Sequence, residues 1–545
     1  MVKIPKIIKD LFYNPKSDSI SSLIKNIKKT HIQILNNTDL SKATLPSSLG
    51  DYSSEVERFS IKNEGVSLAD LPMLTSSLFN GVPRWNSPKT MYNVAPPPIL
   101  HTVIGKTFGS LYNPNLVLDT ASGESTLTEK KVIKAIAEYI GWDWRIAGGT
   151  FTFGGKATTI YGIKLGLKKC SPVYPTQGVK EDIVVLSTKS GHPSHISDAE
   201  WLGIGRDNVI RLNTDLDSKI DLNEMERTIK EKTLEGKKIA AIIVSGGTTN
   251  SMIVDPIKEV VELRDRLKSE LNLNYVPHVH VDSVVGFPWI FYKDYDFNVN
   301  KLNIDLEALE KISKVIVDLK NLNLADSFGI DFHKMGFCPY ISSLFMVKDK
   351  TLFSGSKDDS LIYGQNSPFT YSIENSRSAD GPNSAYIALS TLGVTGYQIL
   401  IAHLTEVATD LQHLIEDTGN FEIINKTGLG SSVIFSPILP KKFIFSSPKD
   451  EERIRNSYTS RFIKKISNLG NPFYIDKVPG NSTGANPYPF VALKAYIMSP
   501  YSSKKSNLDF VKFILKLKKT IDSEFDFTSE GARLENEEFK HPLKN

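Results

Sequence analysis

Between Thr126 and Val347 the chain alternates short apolar runs with amphipathic stretches, and this alternation restricts the possible folds more than any single residue does. Ile183-Val184-Val185-Leu186, Ile239 to Val244 and Leu344-Phe345-Met346-Val347 are too short for buried helices. They also lack the polar alternation of a half-exposed strand, so they read as strands buried on both faces, as in a parallel sheet. Val209 to Leu212, His278 to Val284 and Ser327 to Phe332 are expected to add further strands. Helical spacing fills the gaps at Leu127 to Ile140, Ala157 to Leu167, Pro193 to Leu202 and Asn223 to Glu231. Another helix opens at Asp255-Pro256, where proline suits the first turn, and runs to about Leu267. The pattern predicts an α/β fold with a mostly parallel sheet covered by helices on both faces. In such sheets ligands sit outside the carboxyl ends of the strands.

Three segments follow from this reading. Residues 1–95 are rich in Ser, Asn and Lys, end before Pro96-Pro97-Pro98, and read as an arm or linker laid on a partner subunit. Residues 96–385 form the large domain. Residues 386–545 form a smaller C-terminal α/β domain, with a long helical region from Ala385 to Ala408 at the junction and a strand at Val491 to Ile497. Residues 348–380 are polar and irregular, and a loop of that length is usually functional or mobile.

Composition excludes several classes. With 65 basic and 61 acidic residues the formal charge is +4, too balanced to argue for a nucleic-acid partner. No run of about 18 apolar residues stands out, so no membrane span is expected. The N-terminal stretch is broken by Lys6, Lys9, Asp10 and Pro15 and does not read as a secretory signal. Cys170 and Cys338 are the only cysteines, which argues against a disulfide framework and for a reducing, cytoplasmic setting. No metal site is expected.

The chemistry concentrates at strand ends. Asp331-Phe332-His333-Lys334-Met335-Gly336 places a lysine just past one strand, and His278-Val279-His280-Val281-Asp282 ends another on a carboxylate. An amine that condenses with an aldehyde and a carboxylate that holds a heteroaromatic cation are the two groups pyridoxal phosphate requires from its protein. Enclosure and nearby positive charge are expected to lower the pKa of Lys334 and make it nucleophilic. Taken alone, Lys334 reads as a solvated surface lysine, and Asp282 as a helix N-cap or one half of a structural ion pair. Gly148 to Lys156 reads as a glycine-rich turn before a helix, a seat for phosphate. Gly246-Gly247-Thr248-Thr249 offers a second small-residue turn, or a plain loop. His195, at the start of a helix, can stack on an aromatic cofactor or be a satisfied loop histidine. His192 reads as the latter.

Taken in order, the Gly-Gly turn, histidine, Gly-Thr-Thr, His-Val-Asp and His-Lys-X-Gly resemble the pyridoxal phosphate-dependent amino-acid decarboxylases, the group of glutamate, aromatic amino-acid and tyrosine decarboxylases. Trp85 to Pro97, Asn113-Pro114-Asn115 and Ser376-Arg377 add to the resemblance, which covers roughly residues 70–500. It implies the aspartate-aminotransferase-like fold (fold type I) with a seven-stranded sheet, a homodimer, and an L-amino acid as the small-molecule substrate. It implies that Lys334 holds the cofactor, Asp282 meets the ring nitrogen and His195 stacks on the ring. Gly154, Gly155, Lys156, Thr248 and His333 would lie near the phosphate or ring. Tyr363, with Tyr371 as competitor, matches the mobile-loop tyrosine that returns a proton to the substrate carbon.

The chain also departs from the pattern. Gly154 to Thr159 reads Gly-Gly-Lys-Ala-Thr-Thr, without the usual glutamate, Met252 replaces a glycine, and Val284 replaces a small alanine. Two alternatives stay open: a carbon–carbon lyase resembling sphingosine-phosphate lyase, for which Lys156 suits a phosphorylated substrate, and a degenerate, non-catalytic binding subunit.

Overall fold

The apolar runs become the strands of one sheet. In the computed structural model, which describes residues 9–525 except 10, 15, 17, 47–51, 353–371, 441–446 and 482–489, these are β1 (Gly148–Thr152), β2 (Ile183–Thr188), β3 (Val209–Leu212), β4 (Lys238–Ser245), β5 (His278–Asp282), β6 (Ser327–Asp331) and β7 (Ser343–Val347). Their order across the sheet is β1-β7-β6-β5-β4-β2-β3. β2 to β6 pair in parallel, and β7 runs antiparallel to both β6 and β1. This is the mostly parallel seven-stranded sheet implied by the resemblance. Val281, Ile242, Val244, Phe328 and Leu344 are fully buried, as strands covered on both faces require.

The helix Gly155–Cys170 crosses the sheet and is buried along most of its length. Its glycines allow that depth: a Cβ on Gly162 would stand 2.6 Å from the His280 ring. His280 and His278 share the Ser327 hydroxyl at 2.8 and 2.7 Å. Burial pushes His280 down to about 3, so both histidines of the His-Val-His run are neutral parts of the core. Aspartates cap two of the covering helices. Asp221 accepts the Asn223 and Glu224 amides, and Asp305 accepts those of Glu307 and Ala308.

The chain divides into two compact units, residues 93–438 with 494–507, and residues 1–92 with 439–493 and 508–545. This differs from boundaries at 95/96 and 385/386. The latter falls inside the helix Asp380–Asp417, which buries Ala388, Ile401, Leu404 and Leu411 in the larger unit and so cannot be a junction. Its length and apolar composition would suffice to cross a membrane. Gly393 interrupts it with a φ of 56°, and residues on both sides of that break, Ala388 and Ile401 among them, are buried. The arm differs as well. In the smaller unit Thr90 and Met91 pair in parallel with Tyr474 and Ile475, and the Ala43 amide donates to Asn471 O at 2.8 Å. Ala43, Thr90 and Met91 therefore find backbone partners in their own chain.

One buried ion pair ties three distant segments of the larger unit together. Arg377 donates to both oxygens of Glu129 at 2.6 and 3.1 Å and to Phe151 O at 2.8 Å, and neither side chain is more than 7% exposed. Replacing Arg377 by Met would leave the Glu129 carboxylate buried without its cation. Urea denaturation should then show a loss of about 3–5 kcal/mol, far above that of an exposed pair.

Candidate functional site

Parallel strands end along one edge, so the charged residues that terminate them meet there. β5 ends on Asp282 and β6 on Asp331, and pairing of Asp282 with Gly329 carries Asp331 two residues further along the neighbouring strand. After Asp331 the chain turns at once, with the Lys334 amide donating to Asp331 O at 3.0 Å. This turn folds the Lys334 side chain back so that Nζ lies 2.9 Å from Asp331 Oδ2. Asp331 is 1% exposed, accepts the Ser343 hydroxyl at 2.5 Å, and lies 3.5 Å from His333 Nε2. The pair corrects the expected direction for the lysine. Burial pushes the Lys334 ammonium down, but the charge and hydrogen bond of Asp331, with Asp282 behind them, outweigh it and raise the pKa. In the ligand-free protein Lys334 is a held ammonium.

Asp282 is braced from the opposite side. His195 Nε2 lies 2.9 Å from its Oδ2, and His195 Nδ1 lies 2.7 Å from the Ser187 hydroxyl. Burial raises the carboxyl, but the contact with His195, followed by Lys334 and His192, holds Asp282 well below the usual carboxylate range. His195 is 0% exposed, so both ring faces are already covered by protein. It therefore lacks the open face expected of a stacking residue. His192 is placed differently. It is exposed, near enough to Asp282 and Lys334 to feel both charges, and pushed down from its ordinary value chiefly by enclosure. Arg211 fixes its loop by donating to the carbonyls of Lys189, Gly191 and His192 at 3.0, 2.6 and 3.1 Å.

The glycine-rich segment is only partly a turn. Gly148–Thr152 is the edge strand β1, paired with β7 from Gly148–Val347 to Thr152–Ser343. The turn itself is Phe153-Gly154, and the helix starts at Gly155. A Cβ on Gly155 would stand 2.6 Å from Asp331 Oδ2, so glycine here lets the helix N-terminus sit against the Asp331–Lys334 pair. First-turn amides with no helical partner form an anion seat at that point.

The other expected site residues have more local roles. Lys156 does not stand free at the seat: its Nζ donates to Ser197 Oγ at 2.8 Å and pairs with the buried Asp198 at 3.6 Å. The Thr248 hydroxyl accepts the Ile253 amide at 3.1 Å within its own loop. His333 lies with its ring 4.3 Å from that of Tyr340 and its Nδ1 near Ser342. Tyr363 and Tyr371 lie outside the described residues. Sequence reasoning assigns no role to Asp331, to the Arg211 clamp or to the outward-facing His192. The one signal in the sequence is that Asp331 closes a strand directly before His333-Lys334.

These residues fit pyridoxal phosphate: a lysine amine, a carboxylate held ionised, an exposed imidazole, and a glycine-cradled helix N-terminus for the phosphate. Asp331 generates a testable consequence. A raised lysine pKa leaves less free amine at any pH below it. Labelling of Lys334 by an amine reagent, read by peptide mass spectrometry, should therefore accelerate as pH rises. Asp331→Asn should label faster than the parent at about pH 8, by about tenfold for each unit its pKa falls. Equal rates in both proteins would refute the hold.

Residues 311–437, which include Asp331, His333 and Lys334, match the family described as the pyridoxal-dependent decarboxylase conserved domain. The chain is 24% identical to the L-tyrosine decarboxylase of Enterococcus faecalis over 383 residues, 59% of either chain. It is 26% identical to the aspartate 1-decarboxylase of Aliivibrio fischeri over 250 residues, 45% of this chain and 40% of that one. It thus spans about 59% and 40% of those curated relatives. The crystal structure of mouse CSAD superposes with a TM-score of 0.75 at 15% identity, covering 93% of this chain and 100% of that one. That of Oryza sativa TDC with PLP and tryptamine gives 0.74 at 15% identity, covering 94% and 99%. The structural likenesses establish the shared fold, and the stretch that carries Asp331, His333 and Lys334 is the part of the chain that matches the pyridoxal-dependent decarboxylase conserved domain.

Proposed function

We propose that the protein decarboxylates an L-amino acid to the corresponding amine and CO2 with pyridoxal phosphate as cofactor. The observation that carries this reading is the convergence of Lys334 and Asp282 at the ends of neighbouring strands, with the exposed His192 beside both. When bound, the cofactor supplies a site of covalent attachment and an electron sink. The protein's own residues do the rest. Asp282, kept ionised, holds a proton on the ring nitrogen. His192, rather than His195, covers a ring face. Lys334 anchors the cofactor and, once released, is received by Asp331 as an ammonium able to carry a proton. Tyr363 keeps the role of proton donor to the substrate carbon that the resemblance implies.

The departures from the family pattern leave this machinery in place. Val284 Cγ1 packs at Gly155 and Gly329, whose missing side chains make room for it. Met252 takes up the left-handed backbone (φ 57°) of the glycine it replaces. Lys156, which would suit the phosphorylated substrate of the carbon–carbon lyase alternative, is instead engaged with Ser197 and Asp198, which speaks against that alternative. Both cysteines are buried and free, which supports a reducing, cytoplasmic setting. Purified protein mixed with pyridoxal phosphate should show a visible absorption band that borohydride abolishes. Lys334→Ala should lack the band and all CO2 release from a panel of L-amino acids. No band in the parent protein would refute the reading.

We infer a homodimer from the helix Leu100–Tyr112. It buries Thr102, Gly105 and Gly109 and turns Leu100, Ile104, Phe108 and Tyr112, spaced four apart, to solvent at 79, 52, 50 and 64% exposure. Glycine is needed on the inner face, where a Cβ on Gly105 would stand 2.5 Å from Ile387 Cδ1. The large side chains then have nowhere to go but outward, and such a stripe marks an interface. Lys106, on the same helix, donates to Tyr340 O, and the Tyr340 ring lies 4.3 Å from that of His333, so this helix is tied to the segment that follows β6. In sedimentation velocity the parent chain should run at twice 60.7 kDa and Ile104→Asp/Phe108→Asp as a monomer. A monomeric parent chain would overturn the inference.

A further inference from the structure

Among the described residues, His195 is the buried imidazole at the site edge with both ring nitrogens engaged by side chains, Ser187 on Nδ1 and Asp282 on Nε2. Ser187 lies in β2, Asp282 ends β5, and β4 lies between those strands, so the imidazole spans the sheet edge over the end of β4. Because Nε2 faces a carboxylate oxygen, that nitrogen carries the proton, and the tautomer is set by its surroundings. Asp282 Oδ2 is thereby committed. Among the described residues its Oδ1 accepts the Val284 amide alone, at a long 3.4 Å. With 12% of the side chain exposed, Asp282 retains one oxygen able to engage a ligand.

We propose that His195 is a positioning residue for Asp282: backed by Ser187, it clamps one carboxylate oxygen so that the other is presented to the ring nitrogen of the cofactor. A carboxylate on a strand end otherwise rotates about its χ2, and each misoriented state weakens the bond to the ring N–H. A hydrogen bond that strengthens only one rotamer removes that freedom, as outer partners do for ligands of metal ions. The proposal rests on Asp282 meeting the ring nitrogen. The ionisable groups around the pair are Lys334 on the turn after β6, His192 on the loop before the helix Ser194–Trp201, Asp198 on that helix, and His280 on β5.

The experiment compares full-length His195→Gln, His195→Leu, Ser187→Ala and Asp282→Ala with the parent chain. It reads the dissociation constant for pyridoxal phosphate, the pH profile of the visible band, and the urea midpoint of the ligand-free protein. Glutamine can place an N–H where Nε2 stood, and should keep cofactor affinity within about threefold. Leucine cannot, and should weaken affinity by about 10- to 100-fold, the scale of a lost hydrogen bond to a charged group, and move the band's pH midpoint by about one unit. Ser187→Ala should give a smaller shift in the same direction and serves as the readout if the leucine variant does not fold. A parent chain with no band, or an Asp282→Ala variant indistinguishable from it, would overturn the reading of Asp282 itself. A normal parent and an impaired Asp282→Ala, with His195→Leu and Ser187→Ala matching the parent in affinity and pH profile, would overturn the clamp alone. A fall in urea midpoint with affinity and pH profile unmoved would also overturn it, since that marks a structural histidine only.

Discussion

Two carboxylates end adjacent strands of a buried sheet, and most of the site can be understood as the set of partners that surrounds them. Asp282 and Asp331 terminate adjacent parallel strands, where water cannot solvate them fully. A buried carboxylate left without a partner costs several kcal/mol. The chain resolves this by giving each its own partners. Asp331 takes Lys334 and Ser343, while Asp282 takes His195. Because the partners come from different elements, the turn after β6, the start of β7 and a helix after β2, satisfying the charges also locks those elements together.

That arrangement leaves the lysine amine and the Asp282 carboxylate within reach of each other's charge, which primes the site to exchange one partner for another. An incoming cationic ring can take the place of the long-range attraction between Lys334 and Asp282. An incoming phosphate can use the helix N-terminus beside Asp331. The missing side chain at Gly155 is what brings that N-terminus close enough, and the missing side chain at Gly162 lets the same helix lie on the His280 ring. Glycine spacing along one helix thus fixes the depth at which the charged edge is held.

The sheet is legible in the sequence because its strands are buried on both faces, and a continuous apolar run of four to six residues between turns suits little else. Ile239 to Val244 and Leu344 to Val347 can be read as strands from composition alone. β1 is not legible, because Gly148-Gly149 at a sheet edge resembles a turn until its antiparallel partner β7 is known. The junction near residue 385 fails for a related reason: helical spacing shows that a helix is present, and not which body buries it. Lys334 and Asp282 are legible as chemistry, whereas the direction of the lysine's pKa is not, since it depends on Asp331 turning back onto it. Charge three residues away in sequence gives no hint of a 2.9 Å contact in a tight turn. The charge of Lys156 is legible and its partner is not, since Asp198 lies on another helix.

The two histidines show why residue type and rough position do not assign a role. His192 and His195 are three residues apart on either side of a helix start, so the chain turns between them and they face different surroundings. A ring that serves as a platform must keep a face open, and one that braces a carboxylate must keep its edge nitrogens committed. A single imidazole can meet both demands only if the carboxylate lies in its plane and the face above remains empty. Here the face of His195 is filled by protein, so the demands are separated: the inner histidine serves Asp282 and the outer one is left for the ligand. The Arg211 clamp complements this division: it fixes the backbone of the loop that carries His192, while Ser194 engages the ring nitrogen.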